Sequence, residues 1–285
     1  MILGLLFASI TGAAIHGDTV FTWGDRLLQW TLPKLTSHSL VKLEKAASAG
    51  CLNEDGTGVF LLEGDRLVYR KAPDWKPREI DHGMDLHDCL AVTLLGHRGV
   101  LVVHRGMQLR FYEFPDFHYK EIYSFYSRSR QGGLLVTDVD GDGYPDIICG
   151  NYWIKSPTDF DLPWHDFAIE LYNDQPLAAT LRLALLDGDL LVAQGELPNG
   201  RVARLRKPRD PKQLWTAESL GEFHYPRAFT ASLIGEDNGP NSRLFLNGRP
   251  AGETNGIHTA LPYREGFVLV GRDRVFYWSP PPTAP

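Results

Sequence analysis

GDRLLQWTLP (24–33), GDRLVYRKAP (64–73) and GRDRVFYWSP (271–280) are three copies of one unit: a polar turn, an aromatic-rich apolar run and a closing proline. Looser copies read RGMQLRFYEFP (105–115), GNYWIKSP (150–157) and GRVARLRKP (200–208). Pro33, Pro73, Pro115 and Pro157 stand roughly 40 residues apart, and Pro208 follows after a longer gap. So even a spacing marks an internal repeat, and the repeat decides the fold.

Working outward, a short apolar run precedes each copy: TVFTW, GVFLLE, GVLVVHR, DIICG, DLLVAQG and GFVLVG. Before that stands a run rich in small residues: ASITGAA, AASAGCL, CLAVTLL, GLLVTDV, ATLRLAL, FTASLIG and HTALPY. Several units close with a fourth run, such as HSLVKL, PREI, YKEIY, WHDFAIELY and QLWTAESL. Four short strands per unit of about 40–45 residues predict an all-β, seven-bladed β-propeller of four-stranded antiparallel blades. One such domain accounts for residues 1–285. Small residues suit a crowded centre, and aromatics suit the wider outer packing between sheets.

The sixth unit (222–254) reads as reduced, with AFTASLIG as its first strand and SRLFLNG as its second. Six blades is the alternative if that unit merges with a neighbour. The last unit shows three strands, so MILGLLF is expected to supply the fourth. Ring closure of this kind removes exposed sheet edges.

The 43% hydrophobic and 22% charged content is that of an ordinary globular chain and argues against disorder. A net charge of −6 leaves no basic stripe to neutralise phosphates, which excludes a nucleic-acid partner. RVARLRKPR (201–209) reads instead as a solvated strand edge that discourages edge-to-edge pairing. Cys51, Cys89 and Cys149 are odd in number and lie in apolar runs, so buried free thiols are expected rather than a disulfide framework. MILGLLFASITGAAIHG lacks the basic n-region of a secretory leader and is too short to span a bilayer, so no membrane partner is expected. No GxSxG, Walker, zincin or dinucleotide motif is present.

One hairpin stands apart: DVDGDGYPDIICGN (138–151). Asp138, Asp140, Asp142 and Asp146 hold positions 1, 3, 5 and 9 of an EF-hand-like loop, and the Tyr144 carbonyl holds position 7. A hard cation such as Ca²⁺ takes six or more oxygens, and this spacing converges carboxylates on one point. The acidic residue at position 12 and the flanking helices are missing, so a true EF-hand is excluded. On these residues the sequence resembles the FG-GAP/VCBS propeller family, whose blades carry a D-x-D-G-D-G-x-x-D hairpin. Degenerate echoes are NEDGTGVFLL (53–62), LLDGDLLVA (185–193) and IGEDNGPNSRLFL (234–246). The resemblance implies one structural Ca²⁺ site that ties the two inner strands of the fourth blade together. It also implies export to an extracellular or periplasmic space, whereas the lack of a recognisable leader points to the cytoplasm.

GNYWIKSPTDFDLPWHDFAIELY further resembles bacterial members of that family, some of them lyases or dehydratases acting on sugars and others binding modules. Fold alone does not choose between these. Propellers bind ligands where loops enter the first strands. There the sequence places His82, His87, Arg128, Arg130, Asn173, Gln175, His224, Tyr225, Arg227, Asn255 and His258. Gln194 and Glu196 follow a second strand, and Tyr263 lies nearby in sequence.

Two functions follow. The first is a monomeric binding propeller that takes a carbohydrate or protein ligand at the channel mouth. The second is a sugar lyase or dehydratase. In that reading Arg227 or Arg130 neutralises a uronate carboxylate, His258 or His224 takes the proton, and Tyr225 or Tyr263 serves as acid, with His87 a further catalytic candidate at the same pocket. A zinc-type site from His224, His258 and Glu196 lacks tight ligand spacing. The seven tryptophans read as blade packing.

Overall fold

The small-residue runs become the innermost strands: Ile10–His16, Ala47–Leu52, Leu86–Leu94, Leu134–Thr137, Arg182–Leu186, Ala228–Phe229 and Thr259–Tyr263. They touch one another in cyclic order, the seventh meeting the first. The computed structural model describes residues 3–5, 9–127, 129–170 and 181–280. In six blades the chain meanders outward from the inner strand through three antiparallel neighbours, and in the seventh through two before the N-terminus adds the fourth, giving seven four-stranded sheets. The molecule is a seven-bladed β-propeller, and the six-bladed alternative falls away.

The ring closes as the missing fourth strand predicted. Leu3–Leu5 pairs antiparallel with Arg274–Trp278, Leu3 opposite Phe276 and Leu5 opposite Arg274. The prolines of the repeat also share a conformation. Pro33, Pro73 and Pro115 each follow a cis peptide bond. Two residues later come Leu35, Trp75 and Phe117, all buried and all in the left-handed region at φ 54°, 54° and 62°.

Alternation along the second and third strands sends apolar side chains to both faces of each sheet, so every gap between blades holds a core. Val59 and Leu61 pack toward blade 1 with Phe21, Trp23 and Trp75. Phe60 and Leu62 pack toward blade 3 with Val100, Val102 and Tyr112. Trp23, Trp30, Trp75, Trp153, Trp164 and Trp215 are all buried in such gaps, as packing residues should be. The seam between blades 5 and 6 is thin: Ala193, Val202 and Ile234 are its fully buried members. A cavity of about 530 Å³ opens beside it.

Three expectations fail here. The sixth blade is not reduced, because AFTASLIG holds two strands, Ala228–Phe229 and Leu233–Gly235, joined by a tight turn. Ser242–Leu246 and Arg249–Thr254 complete that blade, which places the echo IGEDNGPN between its second and third strands. Cys51 and Cys89 are joined in a disulfide with Cα atoms 5.8 Å apart, and Cys149 is the free buried thiol. The two bonded residues lie on adjacent inner strands and face each other across the gap between blades 2 and 3. Lastly, RVARLRKPR is no sheet edge. Gly200–Arg206 is the third strand of blade 5, covered by Thr216–Phe223. Its arginines pair with carboxylates, Arg201 with Glu170 at 2.8 Å and Arg204 with Asp189 at 2.7 Å.

Antiparallel pairing sorts the loops onto two faces. The segments entering the first strands and the second-to-third turns share the upper face. The first-to-second and third-to-fourth hairpins share the lower one. Among the described residues, no helix is long and apolar enough to cross a membrane.

Candidate functional site

The upper mouth of the channel is a cavity of about 590 Å³. One side is built from small residues of blades 1 and 2, including Gly12, Ala13, Ser48, Ala49 and Gly50. Gly12 is required there: an added Cβ would lie 2.5 Å from Trp23 Nε1. The Trp23 indole fills that space, and its N–H is buried without a partner in the cavity wall.

The other side is polar and comes from blades 5 to 7. Arg182 opens the first strand of blade 5, and Glu196 lies in the turn after that blade's second strand. Arg227 and His258 immediately precede the first strands of blades 6 and 7. These side chains form a ribbon of alternating charge. Arg182 Nη2 donates to Glu196 Oε1 at 3.2 Å, and Arg227 Nη2 to Glu196 Oε2 at 2.9 Å. Arg227 Nη1 donates to Asp237 Oδ2 at 3.2 Å, and Arg272 approaches the same carboxylate at 3.9 Å.

Burial disfavours the charged form of both mouth histidines. Burial pulls the His258 pKa down to about 4. Its Nδ1 meets Thr259 Oγ1 at 2.9 Å, and its Nε2 is buried without a partner. Burial also lowers the His87 pKa, and its Nε2 bonds the Arg105 carbonyl at 2.5 Å. Beside it, Asp88 accepts from the Cys89 and Leu134 amides at 2.9 and 3.0 Å, while burial raises its carboxyl pKa.

The structure thus gathers His87, Glu196, Arg227 and His258 in one cavity, together with Asp88, Arg182 and Arg272, which sequence reasoning passed over. Arg182 stands one place further along the repeat than Arg227 and His258, at the first residue of its strand, so a search centred on the loops before the first strands passes it by. Other candidates sit elsewhere. Arg130 pairs with Asp85 at 3.2 Å outside the cavity. His224 donates its backbone N–H to Glu236 at 3.0 Å, its ring against Tyr225. The Tyr225 ring centre lies 5.3 Å from the Arg227 guanidinium and is not part of the cavity lining. Gln194 is buried, accepting the Arg201 amide at 3.1 Å. Asn255 lines a second upper-face cavity with Asn238 and Arg272. Tyr263 belongs to the lower face, where its hydroxyl donates to Asp18 at 2.7 Å. Arg128, Asn173 and Gln175 lie outside the described residues, and His82 is exposed at the end of blade 2.

The acidic hairpin is on the lower face, away from the mouth. Gly141 and Gly143 take φ of 79° and 88°, which L side chains rarely adopt, and this winds the loop tightly. Asp138 accepts the Gly141 and Gly143 amides at 2.8 and 2.9 Å. Asp146 is fully buried, bonding the Val139 and Ser156 amides at 3.0 and 2.8 Å, and desolvation raises its pKa. Carboxylate oxygens of Asp138, Asp140 and Asp146 lie within 4.8 Å of one another and could hold a metal ion. Asp140 Oδ1 is buried without a partner and fits such an ion. Asp142 is turned to Lys155 instead, and Tyr144 contributes its backbone amide to Asp142 at 3.0 Å. Among the described residues no other grouping of this kind occurs, so His224, His258 and Glu196 form no metal cage.

A seven-bladed propeller with a polar channel mouth and one acidic inner hairpin defines the class. Residues 132–153, the first two strands of blade 4 and the start of the third, match the model of the FG-GAP repeat. The match covers that hairpin and its strands, and together with the seven-bladed architecture it supports an FG-GAP β-propeller assignment. No curated protein matches it.

Among solved structures, the β-propeller domain of Cps50 (Swd1) from Myceliophteria thermophila is similar at TM-score 0.68 and 15% identity, covering 95% of this chain and 96% of that one. The extracellular domain of the putative one component system BT4673 from B. thetaiotaomicron is similar at TM-score 0.64 and 9% identity. The match covers 97% of this chain and 40% of that one. BamB from Moraxella catarrhalis is similar at 0.55 and 13%, covering 95% and 83%. At these identities the likeness concerns fold alone.

Proposed function

We propose that this chain is a non-catalytic binding propeller whose upper mouth takes a polyhydroxylated ligand, a carbohydrate. The observation that carries this reading is the Arg182–Glu196–Arg227 ribbon facing a shelf of small residues across one cavity. Paired charges of this kind present fixed donors and acceptors with little net field. They suit hydroxyl groups better than a free carboxylate. His258 Nε2 and the Trp23 N–H, both unpartnered at the wall, add an adaptable group and a fixed donor.

The lyase reading gains no support from the same geometry. Arg227 is already shared by Glu196 and Asp237, and Arg130 is paired with Asp85. Neither is placed to neutralise a uronate. A protein partner presenting a polar segment would meet the same groups and is an outcome to be read in the test. The Cys51–Cys89 disulfide supports an oxidising compartment, and hence export, because cytosolic thiols stay reduced. Asp138, Asp140 and Asp146 enter this proposal as the residues that would hold a calcium ion, in the blade-4 hairpin away from the ligand.

The test is a glycan array probed with the intact chain, followed by titration of each hit. Binding that Arg227→Ala weakens tenfold or more supports the reading. Eliminated product from acidic polysaccharides, read by ultraviolet absorbance, would replace it with the lyase.

A further inference from the structure

The acidic hairpin already carries a cation of its own. The Lys155 ammonium, from the third strand of the same blade, bonds carboxylate oxygens of both Asp140 and Asp142. A second ammonium, Lys207 of blade 5, donates to the Val139 carbonyl at 2.8 Å. Each of the loop's other carboxylates is occupied differently: Asp138 by three backbone amides and Asp146 by two amides and the Ser156 hydroxyl. Repulsion within the loop is thus met by groups of this chain.

We infer that Lys155 is a tethered cation that neutralises the loop and competes with Ca²⁺ for it. The hairpin folds without a divalent ion and binds one only weakly. A calcium ion needs six or more oxygens at about 2.3–2.6 Å. Asp140 and Asp142 are two of the donors this loop offers, and Lys155 holds one oxygen of each. To enter, Ca²⁺ must strip Lys155 from both carboxylates and compete with the amides on Asp138. Asp140 Oδ1, buried and unpartnered, remains as a foothold, so binding is weakened rather than abolished. The inference concerns the lower-face loop alone and stands or falls apart from the ligand proposed for the mouth.

The experiment measures melting temperature and Ca²⁺ calorimetry on the intact chain, in chelator and in about 1 mM Ca²⁺, with Lys155→Met and Lys155→Arg. For the unaltered chain, chelator and Ca²⁺ should give melting temperatures within about 1 °C of each other. Lys155→Arg should behave alike. Lys155→Met should melt lower in chelator, recover in Ca²⁺, and bind Ca²⁺ at least tenfold tighter, about 1.4 kcal/mol. Two results overturn the inference: micromolar Ca²⁺ binding by the unaltered chain, or unchanged Ca²⁺ affinity in Lys155→Met. The first needs no variant, so a Lys155→Met chain that fails to fold still leaves the inference open to refutation.

Discussion

Breaking the Cys51–Cys89 bond should cost this propeller several degrees of thermal stability. The bond joins inner strands of blades 2 and 3 across a sequence separation of 38. Its main effect is to remove freedom from the unfolded chain. For a closed loop of that length the chain-entropy relation gives about 4 kcal/mol at 25 °C. Unfolding entropy near the midpoint is about 2 cal/mol/K per residue. Over 285 residues that converts to a fall of about 7 °C. Calorimetry of the chain with and without a phosphine reductant, beside the Cys51→Ala/Cys89→Ala double variant, measures it. Denatured, unreduced protein should show one reactive thiol, from Cys149. The double variant should fall slightly further than the reduced chain, since it also loses two buried sulfur atoms. Three reactive thiols, or a reductant shift under about 2 °C, would refute the reasoning.

Burial depresses the His104 pKa from 6.5 to about 4. Its stabilising effect is complete above pH 6.5 and is lost as pH falls toward 4. Denaturant titrations across that window should show a loss of about 3 kcal/mol that His104→Leu flattens. Arg70→Met would strand Glu63, which is fully buried and held by Arg70 at 2.7 and 3.0 Å. Chemical denaturation should report a loss of about 3–5 kcal/mol, much of it recovered in the Glu63→Leu/Arg70→Met double variant. Hydrogen exchange should find the thin seam between blades 5 and 6 opening before the blade 2–3 seam, with amides of Leu233–Gly235 exchanging faster than those of His97–His104. Equal protection of the two would contradict the packing account.

The architecture was legible because each blade solves the same packing problem with the same residue types, and the count of strands in the last unit left one place for the N-terminus. Blade 6 was misread for a local reason. Its first turn contains no glycine or proline. Thr230 makes it instead, its hydroxyl accepting the amides of Ser232 and Leu233 at 3.3 and 2.9 Å. Such a side-chain-capped turn leaves AFTASLIG looking like one continuous strand. The disulfide escaped because the cysteines were counted rather than aligned. Set on the ladders, Cys51 stands opposite Phe60 and Cys89 opposite Val102, one place apart in the repeat, and alternation turns the two side chains toward each other across the gap between blades 2 and 3.

At the mouth, His87, Arg227, His258 and Glu196 occupy places the sequence marks: the start of a first strand, the residue before one, or the turn after a second. Tyr263 was not, because it ends its strand on the lower face, where it meets Asp18. The pairing of the arginines, which favours the binding proposal over the lyase alternative, depends on side-chain reach across blades. A one-dimensional repeat does not encode it.

The polar ribbon at the upper mouth is proposed to recognise a polyhydroxylated ligand. Comparing the intact chain with Arg227→Ala on one glycan array, after checking that their melting temperatures agree, tests it most directly. Glycan binding by the first that falls at least tenfold in the second is the predicted result. An array with no bound glycan, or one on which both chains bind alike, would contradict it.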